Sequence, residues 1–182
     1  MKFYGRELQR KQLRRMLQQE KMQTALIYGR RRVGKSELIK QVLREENSTG
    51  IYFECKETTE KNNVESLSEL IGETFHFPWP SFADMEELLK YLFEKAGETE
   101  FVLVLDEYPY LRGVVKGLDS IVQSLIDRYR DASGIKFIIC GSHIDIMKSL
   151  LDSQNPLYGR IDRTVNLQPM DDSSAICLNP NL

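Results

Sequence analysis

The sequence predicts an α/β fold of three layers, with helices on both faces of a parallel sheet of about five strands. Three observations predict it. Short apolar runs alternate with longer amphipathic stretches along the 182 residues. One run, Phe101-Val102-Leu103-Val104-Leu105, is apolar without a break, as a strand covered on both faces requires. Three runs stop abruptly at Gly29, Asp106 and Gly141, the punctuation expected at strand ends.

Taken in order, Thr24 to Tyr28 reads as a buried strand. Lys35 to Glu46 follows as a helix, with Leu38, Ile39, Val42 and Leu43 on one face. Ile51 to Cys55 is a second strand, and Asn63 to Phe75 a helix carrying Val64, Leu67, Leu70 and Ile71. Phe77-Pro78-Trp79-Pro80 must be a loop, because two prolines do not fit a helix interior. Asp84 is placed to cap a helix that carries Leu88, Leu89, Leu92 and Phe93 and stops at Gly97. After the Phe101 strand come a helix over 117–131, a strand from Lys136 to Cys140, a short helix from Asp145 to Leu151 and a last strand from Arg163 to Leu167. Residues 1–169 are expected to form one core. Residues 170–182 show no clear period and are expected to be a disordered or loosely attached tail.

The composition, 41% hydrophobic and 29% charged, is that of a folded globular chain. The 25 Lys and Arg against 27 Asp and Glu leave a net charge of -2, which excludes a polycation wrapping nucleic acid along its whole length. A local basic patch stays open. No run approaches the roughly 18 apolar residues of a membrane-spanning helix, and the start, MKFYGRELQR, lacks the apolar stretch of a secretory signal. A cytoplasmic location is therefore expected. The three cysteines, Cys55, Cys140 and Cys177, are far apart and lack zinc spacing, so buried free thiols are expected.

Chemistry concentrates at strand ends. Gly29-Arg30-Arg31-Arg32-Val33-Gly34-Lys35-Ser36 matches G-x-x-x-x-G-K-[ST] between an apolar strand and an amphipathic helix. Glycines let the backbone curl until successive N–H groups face one anion, and the following helix adds its N-terminal dipole. Lys35 is expected at the β- and γ-phosphates and Ser36 on Mg²⁺. The stretch through Glu37 is taken as nucleotide-binding. The three arginines stay open between phosphate contact, an acidic partner and plain solvation.

Asp106-Glu107 ends the most apolar strand, where parallel sheets bind ligands. Asp106 is expected to hold Mg²⁺ and Glu107 to orient and activate water. The strand ending at Gly141 carries Ser142, which is placed to meet the terminal phosphate or the attacking water. His143 is read as a cap or a solvent-facing residue, and His76, between Phe75 and Phe77, as a packed loop residue.

Five segments together resemble the archaeal-type ATPases, P-loop proteins related to the STAND signalling NTPases and, more distantly, to the AAA+ origin-recognition ATPases. They are Phe3-Tyr4-Gly5-Arg6-Glu7-Leu8, the string from Ile27 to Ser36, Leu105-Asp106-Glu107-Tyr108-Pro109-Tyr110-Leu111, Ile138-Ile139-Cys140-Gly141-Ser142, and Pro156-Leu157-Tyr158-Gly159-Arg160. The resemblance implies a sheet ordered 5-1-4-3-2. It implies that Arg6 lies near the adenine and that Arg160 stands where an arginine finger does, in a homo-oligomer where it acts in trans. Family members continue past the last strand into a helical lid and often a winged helix. The expectation here is a truncated or stand-alone core, without direct DNA binding by this chain.

The resulting reading is an ATP-binding core that hydrolyses ATP with Mg²⁺. Its alternatives are a nucleotide-dependent switch with little turnover and a DNA-associated accessory module. A small-molecule kinase is weaker, because the Asp106-Glu107 pair favours water as acceptor.

Overall fold

The computed structural model describes residues 6–170. Five strands, β1 (Gln23–Tyr28), β2 (Gly50–Glu54), β3 (Val102–Asp106), β4 (Lys136–Gly141) and β5 (Arg163–Asn166), form one parallel sheet in the order β2-β3-β4-β1-β5. This is the expected order read from the other edge. Between them run α1 (Glu7–Leu17), α2 (Lys35–Glu45), α3 (Glu60–Phe75), α4 (Met85–Lys95), α5 (Tyr108–Val114), α6 (Leu118–Tyr129) and α7 (Ile144–Ser149).

Position in the sheet explains the hydrophobic pattern. β3 and β4 are buried along their whole length, and β1 at all but its first residue. The edge strands β2 and β5 alternate buried with more exposed positions. Central strands are covered on both faces, so they need apolar side chains on both. One face packs Leu13 and Met16 of α1 and Leu38, Ile39 and Val42 of α2 onto Val104, Ile138 and Cys140. The other packs α3, α4, α6 and α7 through Leu67, Leu89, Val122 and Met147 onto Leu103, Leu105 and Ile139. Each such fully buried aliphatic side chain contributes about 1.5–3 kcal/mol.

α2 follows β1 on one face, while α7 follows β4 on the other. That reversal opens a crevice at the C-terminal ends of these strands, where open α/β sheets bind ligands.

Asp84 caps α4 as expected, its Oδ1 accepting from the Glu87 N–H at 2.9 Å. Several expectations need correction. α3 starts three residues before Asn63, because the Thr59 hydroxyl caps it by accepting from the Asn62 N–H at 3.1 Å. α1 and α5 are additional helices. α5 is pinned by the buried Tyr108, whose hydroxyl donates to Asp119 of α6 at 2.8 Å. His76 is exposed rather than packed, and it ends α3 in a left-handed conformation at φ 58°. Cys55 and Cys140 are buried free thiols, whereas Cys177 and the tail 171–182 lie outside the described residues.

Candidate functional site at the strand ends

The loop between β1 and α2 is shaped by its glycines. A Cβ on Gly29 would lie 2.3 Å from the Leu167 carbonyl oxygen, so only glycine lets the chain leaving β5 pass this close. Gly34 caps α2 at φ 93°, in the left-handed region that favours glycine. Arg32 adopts φ 64° without that advantage.

Lys35 is 6% exposed, and its ammonium donates to the carbonyls of Gly29 and Arg30, both at 2.8 Å. The loop thus encloses its own cation. The Val33 carbonyl accepts from the Arg6 guanidinium at 3.0 Å, joining the start of α1 to the loop. Burial lowers the proton affinity of Arg6 below that of a free guanidinium.

Asp106 faces this loop from the end of β3 and is buried. Its Oδ2 accepts from the Ser36 hydroxyl at 3.0 Å and from the Tyr52 hydroxyl at 2.5 Å, and its Oδ1 from the Glu107 N–H at 2.8 Å. Burial first, and then the bond to Asp106, raise the Tyr52 phenol well above its ordinary value, so Tyr52 stays a donor. Lys40 covers the Tyr52 ring, 4.8 Å from its centroid. The Cys140 thiol is also pushed up, by burial and then by Asp106.

Glu107 stands at φ 53° at the head of α5, a conformation unusual for a non-glycine residue. Its carboxylate accepts from the Ser142 hydroxyl at 2.9 and 3.1 Å. Arg31 donates to the Tyr110 hydroxyl at 2.9 Å, bridging the loop to α5. The resulting cavity of about 490 Å³ is lined by both residue pairs that the sequence singles out, Lys35 with Ser36 and Asp106 with Glu107. Arg31, Arg32, Gly34 and Glu37 complete that side.

The remaining expected residues divide. Gly29, Arg30 and Val33 supply the loop carbonyls just described, Arg6 braces the loop, and Ser142 joins through Glu107. His143 caps α7 through Nδ1, which accepts from the Ile146 N–H at 3.4 Å. Arg160 is not brought to this cavity. It precedes β5, in which Arg163 is paired with Ala25 near the start of β1. It therefore sits beyond the opposite end of β1, roughly 13 Å or more from Gly29 at about 3.3 Å per strand residue. There it clasps Asp127 of α6 with two bonds of 2.8 Å and donates to the Pro156 and Tyr158 carbonyls at 3.2 Å. That ion pair lowers the Asp127 carboxyl below its ordinary range.

Residues 3–182 match a family described as an ATPase domain predominantly from Archaea. The chain belongs to that family. A curated relative, MJECL04 of Methanocaldococcus jannaschii, is 28% identical over 170 residues, or 92% of this chain and 36% of that protein. Among solved structures, the Walker-type ATPase PABY2304 of Pyrococcus abyssi superposes with a TM-score of 0.70 at 25% identity, covering 96% of this chain and 56% of the other. Cdc6p from Pyrobaculum aerophilum is similar in fold, with TM-score 0.68, 19% identity and coverage of 96% and 48%. The Aeropyrum pernix ORC2 protein in ADPNP–ADP complexes gives TM-score 0.70, 16% identity and coverage of 97% and 51%. The fold is thus a P-loop ATPase core similar to those of archaeal origin-recognition proteins. The chain spans about a third of the curated relative and about half of the solved structures.

Within this archaeal-type ATPase core, sequence reasoning missed Tyr52, Glu54 and Tyr110. Glu54 and Tyr110 line the cavity. Glu54 is paired with Asp106 across β2 and β3. Its signal was its place at the end of a strand, though choosing it required knowing which strands are neighbours.

Proposed function

We propose that this cavity binds Mg-ATP and hydrolyses it to ADP and phosphate. The observation that carries the reading is the Ser36–Asp106 bond, which brings the loop and the acidic strand end together at one cavity. The donor set fits a nucleotide-bound magnesium. Among the described residues, no group of three or more His, Cys, Asp and Glu side chains is arranged to hold a metal by itself. A magnesium ion here would take Ser36 and Asp106 and share its remaining positions with phosphates and water, as this ion does in nucleotide sites. When bound, it neutralises charge on the phosphate oxygens.

The chain's own groups do the rest. Lys35 exchanges its two carbonyl acceptors for phosphate oxygens. Loop N–H groups from Arg30 to Ser36 face the same anion. Glu107 accepts a proton from the attacking water, and Ser142 fixes its carboxylate. Arg6 braces the loop from the side the resemblance assigns to adenine. Preference for ATP over GTP rests on the family. Arg160 enters this reading only from a second copy of the chain, since its own cavity is at the other end of the sheet. Mixing Arg160→Ala with Lys35→Ala tests that part, and recovered activity supports action in trans.

A switch of low turnover is the second reading. It is favoured by the Ser142 bond to Glu107, which occupies the group meant for water. Titration calorimetry with Mg-ATP, run beside a phosphate-release assay, tests both. Binding with phosphate release supports hydrolysis, and binding without release supports the switch. Absence of binding contradicts both.

A further inference from the structure

A second concavity lies away from the nucleotide cavity, between the outer face of α3 and the loop 79–84, and encloses about 720 Å³. Trp79 stands on its rim, 64% exposed. The indole is held in place rather than loose. A Cβ on Gly72 would lie 2.6 Å from Trp79 Cδ1, so the ring lies on the bare backbone of α3. Val64, Pro80 and Phe82 add an apolar floor, and the Phe82 ring packs against Tyr91 at 5.3 Å.

The lining charges are unbalanced: Glu60, Glu65, Glu69 and Asp84 against Lys61. Glu60 and Asp84 are engaged at the start of α4, where they accept the N–H groups of Met85 and Glu87. Glu69 and Glu65 face outward, and the Lys61–Glu65 pair is long, 4.0 Å, and exposed. Ser68 supplies an independent sign of a ligand. It lines the groove and is 5% exposed, yet its hydroxyl oxygen has no hydrogen-bond partner. A buried hydroxyl without a partner is costly unless something satisfies it.

We propose that this groove docks a cationic peptide segment of a partner protein, with an arginine over Trp79. The chemistry selects that occupant. A guanidinium stacks on an indole face, donates to carboxylates such as Glu65 and Glu69, and has N–H groups to spare for Ser68. A fixed, exposed tryptophan beside an apolar floor is the kind of anchor that dominates protein interfaces. Nucleic acid is disfavoured, because its phosphates would meet four carboxylates against one lysine. A second copy of this chain offers the groove only part of its basic helix α1, where Lys11 and Arg15 are exposed. Arg10 and Arg14 of that helix are already paired with Glu45 and Glu46.

Trp79 is the sole tryptophan, so its fluorescence reports on the groove alone. The probes are a synthetic peptide alternating arginine with leucine, its glutamate counterpart and a short DNA duplex. The expected result is a saturable blue shift with the arginine peptide only, weakening as salt rises from about 50 to about 300 mM. In the Glu65→Lys/Glu69→Lys variant the affinity falls about tenfold with unchanged thermal melting, since both positions are exposed. Ser68→Ala loses affinity by a smaller factor. The proposal is overturned by no saturable shift, an equal shift with the glutamate peptide, undiminished affinity in the charge-reversed variant, or a shift produced by the DNA duplex. It is equally overturned by a shift that follows protein concentration without peptide, which would mark self-association. None of these outcomes depends on nucleotide binding.

Discussion

Two lysines at opposite ends of the sheet are almost indistinguishable by local criteria. Lys35 and Lys136 are each 6% exposed. Lys35 donates to the carbonyls of Gly29 and Arg30, both at 2.8 Å, and Lys136 to those of Lys21 and Gly134 at 2.9 and 2.7 Å. Their neighbours separate them. Around Lys35 stand Ser36, Asp106 and Glu107, with a backbone turned left-handed at Arg32, Gly34 and Glu107. Around Lys136 are Glu46, Ser48, Glu100 and Asn47, itself left-handed at φ 50° just past the end of α2, and Glu46 is held by Arg14 and Gln18, so Lys136 reads as a clamp between two chain segments. A buried, satisfied ammonium does not by itself mark a site. A carboxylate at a strand end bonded to the glycine-shaped loop, as Asp106 is to Ser36, does.

The comparison breaks most sharply at Glu107. Glu107→Gln should keep Mg-ATP affinity and reduce phosphate release by about 10²–10⁴-fold, because the amide cannot accept the water's proton. Calorimetry and a phosphate assay on the same preparation check it. Unchanged turnover would move this end of the sheet toward the switch reading.

The lysines themselves should then part. Lys35→Ala removes charge-assisted bonds to phosphate worth about 1.5–3 kcal/mol, so Mg-ATP affinity should fall by about 10–100-fold, and it strands the Gly29 and Arg30 carbonyls at a stability cost of the same order as the Lys136 variant. Lys136→Ala leaves the Lys21 and Gly134 carbonyls without their donor. It should cost about 1–3 kcal/mol of stability in urea unfolding, with nucleotide affinity unchanged. If both variants lose binding equally, the distinction fails.

How much of this was legible in the sequence depends on chain distance. The loop from Gly29 to Ser36 is a local device whose spacing carries its geometry. The run from Val102 to Asp106 declares a central strand and its acidic end. Tyr52 carries no local signal. It reaches Asp106 only because β2 pairs with β3, with Tyr52 in register with Val104, a pairing no short window contains. α5 was hidden because 108–116 stays unassigned in the sequence, between the Phe101 strand and the helix over 117–131. Yet proline is at home in the first turn of a helix, and that signal was present. The acceptor of Arg160, Asp127, lies on a different element, so sequence placed the arginine near β5 without showing what holds it.

Tyr52 gives a smaller effect that sharpens the Lys35 side. Tyr52→Phe removes a donor to Asp106 while keeping the ring under Lys40. The magnesium concentration for half-maximal nucleotide binding should rise about tenfold, as when a group orienting a metal ligand is lost. Affinity for ATP without magnesium should stay constant. Equal losses with and without magnesium would reduce Tyr52 to a packing residue.

The smallest effect belongs to the Lys136 side. Burial lowers the pKa of Lys136 from 10.5. The unfolded chain therefore holds this proton to higher pH than the folded one, and folding gains stability as pH rises through the folded value toward 10.5. Melting curves of the wild type minus Lys136→Met should show that gain in the alkaline range. A flat difference would mean that the lysine keeps its ordinary pKa in the fold.

The claim that one end of the sheet holds nucleotide is met most directly by amide hydrogen exchange with and without a magnesium complex of a non-hydrolysable ATP analogue. Exchange should slow across 30–37 and at 106–108, while 21–23 and 134–136, the segments tied by Lys136, keep their rates. Protection confined to the Lys136 end, or no protection in the loop at saturating analogue, would contradict the account.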